Sequence, residues 1–235
     1  MMAGRNYYLA TVLPALGDLG STPPVALPEL VRHVQGLPLQ APVEAVVLAD
    51  DLNQRDAFLA GELLRPEPAV LTRAQTRGEA PLPDFLTTGV PDDAGRLFVD
   101  ATWAAYFRFV SALGRRRGGL LARWVGSEIW LRNALVTDRA KTLGLDAEPR
   151  LVTPELGVEQ PELEGTVSEW GSAATPLAGL RLLLRARWQW LVRREAWFTF
   201  HDDEMIAYAA KLVLLHRWYR LARGATASTD EGAVA

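Results

Sequence analysis

The 235-residue sequence predicts a mainly α fold, a multi-helix bundle of antiparallel helices, with one short N-terminal strand as an open alternative. Two observations carry this. From Pro42 onward, long segments repeat apolar residues at three- and four-residue steps, and nothing alternates strand with helix as a parallel sheet requires. A composition of 49% hydrophobic and 23% charged residues is that of an ordinary globular chain. Its length allows one large domain or two small ones, with an ample core.

YYLATVLPAL, residues 7 to 16, is short, aromatic and β-branched, with Pro14 as a stop. It reads equally as a strand or as an extended lead-in to the core. Pro23, Pro24 and Pro28 punctuate a loop before ELVRHVQG, which suits a short helix ending at Gly36. PVEAVVLADDLNQRDAFLA, from Pro42 to Ala60, places proline at a first helical position and repeats Val43, Val47, Leu48, Leu52 and Leu59 at helical steps.

Residues 62 to 95 hold five prolines and little periodicity, so they predict a long connection with one helical turn, which would join two lobes if the chain has them. RLFVDATWAAYFRFVSALG resumes helix and ends in an RRRGG turn. LLARWVGSEIWLRNALVTDRAKTLG then completes an antiparallel pair. A second, acidic connection spans residues 146 to 175. TPLAGLRLLLRARWQWLVRREAWF begins with Thr175 as cap and Pro176 inside it. The last helix starts near HDDE, where acids suit the positive end of the dipole, and closes with Arg220, Arg223 and Gly224. Residues 1 to 225 thus form a helical domain, and 226 to 235 a disordered tail. The eight tryptophans belong mostly between helices.

Net charge is −3, which excludes a chain held to nucleic acid mainly by counterion release. The charge is patchy. Residues 105 to 124 hold five arginines and no acid, whereas residues 146 to 169 hold seven acids against Arg150. The absence of cysteine removes disulfides, thiolate metal ligands and thiol nucleophiles, and permits a reducing compartment. The N-terminus has no signal-peptide cleavage pattern, and the stretch from Met205 to Ala222 is interrupted by Lys211, His216 and Arg217, so it reads as a buried helix rather than a membrane span.

Enzyme motifs are missing: there is no GxxxxGK[ST], GxGxxG, HExxH or GxSxG. His33, His201 and His216 fall on separate predicted helices or helix ends. Asp50, Asp51 and Asp56 are the one acid group that suggests a divalent metal and a helical metalloenzyme, but helical spacing sends Asp50 and Asp56 to different sides of their axis. The expectation is a non-catalytic protein with no metal and no cofactor. Arg115, Arg116 and Arg117 lack the loop that would hold phosphate, and they suit an acidic protein surface.

The segment SEIWLRNALVTDRAKTLGLD, residues 127 to 146, carries polar groups among its hydrophobes. At about 100° per residue, Arg132, Leu135 and Arg139 lie within about 40° of Glu128. Glu128 and Arg132 form an i, i+4 pair. Asn133 lies on a more apolar face with Ile129, Val136 and Ala140. A buried Asn133 must bridge to backbone or to a polar side chain, because an unpaired amide costs about 1 to 3 kcal/mol. These polar residues therefore predict helix docking or an interface.

LRNAL at 131 to 135, preceded by Glu128 and followed by Asp-Arg-Ala, resembles the Glu, Arg-Asn and Leu pattern of one central-stalk protein, designated C in bacterial and archaeal V/A-type ATPases and d in the eukaryotic V-type enzymes. DDLN at 50 to 53, with Asp51 and Asn53, is similar to the Asp-x-x-Asn sequences of its helical modules. YYLATVLPAL and YAAKLVLLHRW, residues 208 to 218, also resemble the two ends of a bacterial family encoded beside V-type ATPase genes. That resemblance spans most of residues 6 to 220, and the chain is too short for the three modules of the longer C-type stalk proteins. It implies a non-catalytic central-stalk or rotor-coupling component of a proton or sodium ATPase, seated on the cytoplasmic face of the inner membrane. The implied partners are the central shaft and the membrane rotor ring, and membrane contact would be indirect, through the ring. An assembly or accessory factor of the same complex is the alternative.

Overall fold

The computed structural model describes the backbone of residues 6–88, 98–117 and 119–231, and their side chains except those of 117 and 224–231. The fold is mainly α, with ten α-helices and no strand among the described residues. The chain divides into two compact units, residues 1–47 with 173–235 and residues 48–172, and the third helix crosses the boundary. The connection 62–95 would join two lobes in the sequence reading; its described part, residues 62–88, lies inside the second unit, and residues 89–95 lie outside the described residues.

In the first unit, α1 (Tyr7–Val12) is a short helix, not a strand. Its core residue Leu9 is buried while Tyr7 and Tyr8 are exposed, so β-branching near its end loses to a one-residue apolar anchor. Helix α2 (Leu27–Val34) buries Leu27, Leu30 and Val34, and the chain leaves it through Gly36 at φ 76°. Helix α9 (Pro176–Val192) has the predicted start: the Thr175 hydroxyl accepts the Ala178 N–H at 3.1 Å, and Pro176 occupies the first turn. Helix α10 (Asp202–Glu231) opens with Asp202, Asp203 and Glu204 and packs on α9 and α2.

Helix α10 runs six residues into the segment expected to be a disordered tail; residues 232–235 lie outside the described residues. Ala225 and Ala227 are strong helix formers, and extending an existing helix avoids the cost of nucleation.

Helix α3 (Gln40–Leu59) contributes its C-terminal part to the second unit. Val43, Val47, Leu48 and Leu52 are buried as their spacing predicts, whereas Leu59 is exposed. Two short helices, α4 (Arg73–Arg77) and α5 (Asp84–Thr87), interrupt the proline-rich connection. A complete capping box starts α4: the Thr72 hydroxyl accepts from the Gln75 N–H, and the Gln75 side chain accepts from the Thr72 N–H.

Helices α6 (Phe98–Arg117) and α7 (Gly119–Leu143) form the predicted antiparallel pair. The reversal is tight, since a Cβ on Gly114 would meet the Ala122 backbone at 2.9 Å. The arginines at 115 to 117 belong to the last turn of α6 rather than to a loop, where cations suit the negative end of the dipole. Helix α8 (Pro161–Gly171) and two 3-10 turns (Glu148–Arg150, Pro154–Leu156) lie within the acidic connection.

Trp103, Trp124 and Trp190 are in the core, but Trp197 is 64% exposed, against the expectation for a tryptophan. No helix of the described residues is long and apolar enough to cross a membrane.

Candidate functional site

Helix α7 is apolar on several sides, and two of its polar side chains, Arg132 and Asn133, are committed to neighbouring segments. The buried Asn133 bridges to backbone through both ends of its amide: its Nδ2 donates to the Val152 carbonyl at 3.0 Å, and the Val152 N–H donates to its Oδ1 at 2.9 Å. This two-way bond fastens the returning acidic connection along α7. One residue later Thr153 is held at φ 44°, a conformation that a β-branched residue adopts only when its surroundings impose it. Nearby, the Val158 N–H donates to the Gly126 carbonyl at 3.2 Å. A Cβ on Gly126 would lie 2.7 Å from a Val158 methyl, so glycine in mid-helix lets this chain approach.

Asn133→Leu should therefore leave the Val152 N–H and carbonyl without partners. A loss of about 1 to 3 kcal/mol is expected, read as an earlier melting transition by circular dichroism; an unaltered transition would refute the docking role.

Asp51 does the same work on α3. It is fully buried, and its carboxylate accepts the N–H groups of Ala69 at 2.9 Å and of Val70 and Leu71 at 2.7 Å each. Burial pushes its carboxyl up to about 6, against the pull of those three donors, and Asp50 adds to the rise. Asp50 is also fully buried and accepts from the Gln54 amide at 3.0 Å. Gln54 bonds Glu67 through both its amide nitrogen and its oxygen. Asn53 points the other way: it is exposed, and its amide donates to the Ala49 carbonyl of its own helix.

Arg132 is used across the hairpin rather than along its own helix. Its guanidinium meets Asp100 of α6 at 3.0 Å and lies 5.1 Å from the centre of the Trp103 ring, so the expected pair with Glu128 is replaced. Trp103 in turn donates its indole N–H to Asp56 at 2.8 Å. Burial raises the Asp56 carboxyl, and the Trp103 bond and the charges of Arg132 and Arg55 oppose that rise. Arg55, buried beside Phe98, has its guanidinium lowered by desolvation. Asp56, Trp103, Arg132 and Asp100 thus tie α3, α6 and α7 together.

Of the eight residues singled out from the sequence, Asp51, Arg132 and Asn133 turn inward, and Glu128 is half-buried and engaged. Arg115 and Arg116 are exposed at the end of α6, and the Arg117 side chain lies outside the described residues. The structure does not gather the eight into one site. Among the described residues no group of three or more His, Asp or Glu side chains is placed to hold a metal, and Asp50, Asp51 and Asp56 each have other partners.

An open cleft of about 610 Å³ is lined by α7, the returning chain and Val167 of α8, with Asp138, Lys141 and Glu159 on its walls.

Two features of the sequence mark these fastenings. The segments that Asp51 and Asn133 hold read EPAVLT at 67 to 72 and EPRLVT at 148 to 153, so one device recurs at matching distances along the chain. Asp51 bonds backbone 18 to 20 residues on, and Asn133 bonds backbone 19 residues on. The other is Gly126, a glycine in the interior of α7, where only a close approach of another segment justifies its cost.

Comparison of the chain with protein families, with curated proteins and with solved structures finds no match.

Proposed function

We propose that the protein is a non-catalytic coupling component of a V/A-type rotary ATPase, resembling its C-type stalk protein, that links the central shaft to the membrane ring from the cytoplasmic side. The observation that carries the reading is the α6 and α7 hairpin. Its two helices are locked by Arg132, Asp100 and Trp103, and it presents Arg115 and Arg116 at its turning end. A hairpin fixed in this way transmits displacement without bending, because packed helices move as rigid elements. An arginine-bearing end suits an acidic surface on the shaft or the ring. The Glu, Arg-Asn and Leu pattern of α7 supplies the likeness to the C-type stalk protein.

The inward commitment of Asp51, Arg132 and Asn133 confines the contact surface to exposed groups. Replacing Arg115, Arg116 and Arg117 by alanine should leave the fold intact and weaken binding to purified shaft or ring proteins about tenfold or more, as loss of charged contacts at an interface does. Binding that is unchanged in the triple variant would remove this end of the hairpin from the interface.

A further inference from the structure

Helices α9 and α10 carry charge of one sign over most of their length. From Pro176 to Arg194 the chain has five arginines and no acid, and from Met205 to Arg223 it has Lys211, Arg217, Arg220 and Arg223 and again no acid. Within this field Arg181 and Arg185 lie one turn apart on α9. Both stack on the Trp218 indole of α10, with guanidinium carbons 5.9 and 5.4 Å from the ring centre. Arg185 is exposed, and Arg181 and Trp218 are half-buried.

Gly20 approaches the nitrogen side of the indole closely. This residue sits at φ 109°, and a Cβ there would lie 3.3 Å from the Trp218 ring nitrogen. Among the described residues neither arginine has a carboxylate partner.

A guanidinium stacked on an aromatic face has already lost much of its freedom, yet it keeps an N–H edge for a planar acceptor. Side chains at i and i+4 have Cβ atoms about 5 to 6 Å apart. That is also the spacing of two carboxylates one turn apart on a facing helix, each able to take a bidentate bond. A lipid surface is gripped by clusters of about four to eight basic groups, and nucleic acid by many phosphate contacts. Of the nine basic residues in these stretches of α9 and α10, Lys211 is buried on Glu195, Arg194 lies over Trp190 and Arg223 over Tyr219, and among the described residues only Arg181 and Arg185 share one aromatic face, so that pair suits a smaller target.

We propose that Arg181, Trp218 and Arg185 form a docking clamp for an acidic helix of a protein partner, one that carries Asp or Glu residues one turn apart. The clamp belongs to the first unit and the α6 end to the second, and the clamp stands whether or not the partner complex is a rotary ATPase.

The test titrates the full-length protein into a fluorescein-labelled, alanine-based helical peptide with glutamates at i and i+4, with a glutamine version as control. A saturable anisotropy rise for the glutamate peptide alone is expected. The dissociation constant should rise about tenfold in Arg181→Ala/Arg185→Ala and stay near the parent value in Arg65→Ala/Arg73→Ala, two exposed arginines whose loss removes the same charge without an aromatic stack. Equal losses in the two variants, or no loss in the first, would overturn the clamp.

If the double variant melts early, Arg185→Lys at the exposed position replaces it: weaker binding supports the stacked fork, and unchanged binding overturns it. Cosedimentation with phosphatidylglycerol and phosphatidylcholine vesicles that depends on Arg181 and Arg185, without peptide binding, would overturn the protein partner in favour of a lipid surface. Self-association in sedimentation velocity that vanishes in the double variant would assign the clamp to a second copy of the chain and overturn the proposal as stated.

Discussion

Glu195→Ala should cost about 3 to 5 kcal/mol of stability, because it removes the carboxylate that faces a buried ammonium. Lys211 and Glu195 meet at 2.7 Å, and both side chains are less than a tenth exposed. The ammonium lies 4.8 Å from the Trp188 ring centre and 5.3 Å from that of Trp197, so aromatic rings flank the buried charge. Without Glu195 the charge keeps its desolvation cost and loses its main compensation. The melting temperature should fall by roughly 10 °C, at about 2 to 4 °C per kcal/mol for a chain of this size. Replacing both partners, as Glu195→Leu/Lys211→Met, should restore most of the loss, since apolar groups of similar volume substitute for a buried ion pair at little cost. A double variant as unstable as the single one would place the defect in packing rather than charge.

Asp51→Ala should be comparably damaging. It leaves three backbone N–H groups, those of Ala69, Val70 and Leu71, without the acceptor they share. Each such group costs about 1 to 3 kcal/mol. Melting of the purified variant should be early, and hydrogen exchange at residues 69 to 71 should be the first to rise; unchanged protection there would contradict the assignment.

Asp51 also makes stability depend on pH. Its folded carboxyl stands at about 6, above the unfolded value of 3.8. The native state therefore binds the proton more tightly, and its contribution is fully present below about pH 4 and lost as pH rises through about 6. Measured as the difference between the parent and Asp51→Asn, parent stability should decline over that window. A difference that grows with pH would reverse the sign and place the carboxyl below its ordinary value.

Much of the fold is readable because it depends on local rules. Thr175 and Pro176 mark the start of α9, Gly36 marks the exit from α2, and helical spacing identifies the buried face of α3. The short N-terminal helix is ambiguous for a physical reason: six residues hold too few turns for periodicity to separate helix from strand. Residues 146 to 175 conceal α8, because its sparse apolar positions, Leu163 and Val167, are the minimum that one buried stripe requires.

The docking residues are legible in type but not in partner. Asn133 has to find a polar group if buried, yet only the three-dimensional path of the acidic connection brings Val152 to it. Arg132 has a sequence neighbour in Glu128, and it takes Asp100 instead because the hairpin brings that carboxylate and the Trp103 face together. Lys211 and Glu195 give no local signal, since sixteen residues and a chain reversal separate them.

Membership of a rotary ATPase is tested most directly by a tagged pull-down from solubilised native membranes, with mass spectrometry of the partners and their ratios. Recovery of ATPase head and ring proteins with one copy of this chain per complex is the predicted result. Recovery of the chain alone, from cells that express the ATPase, would contradict it.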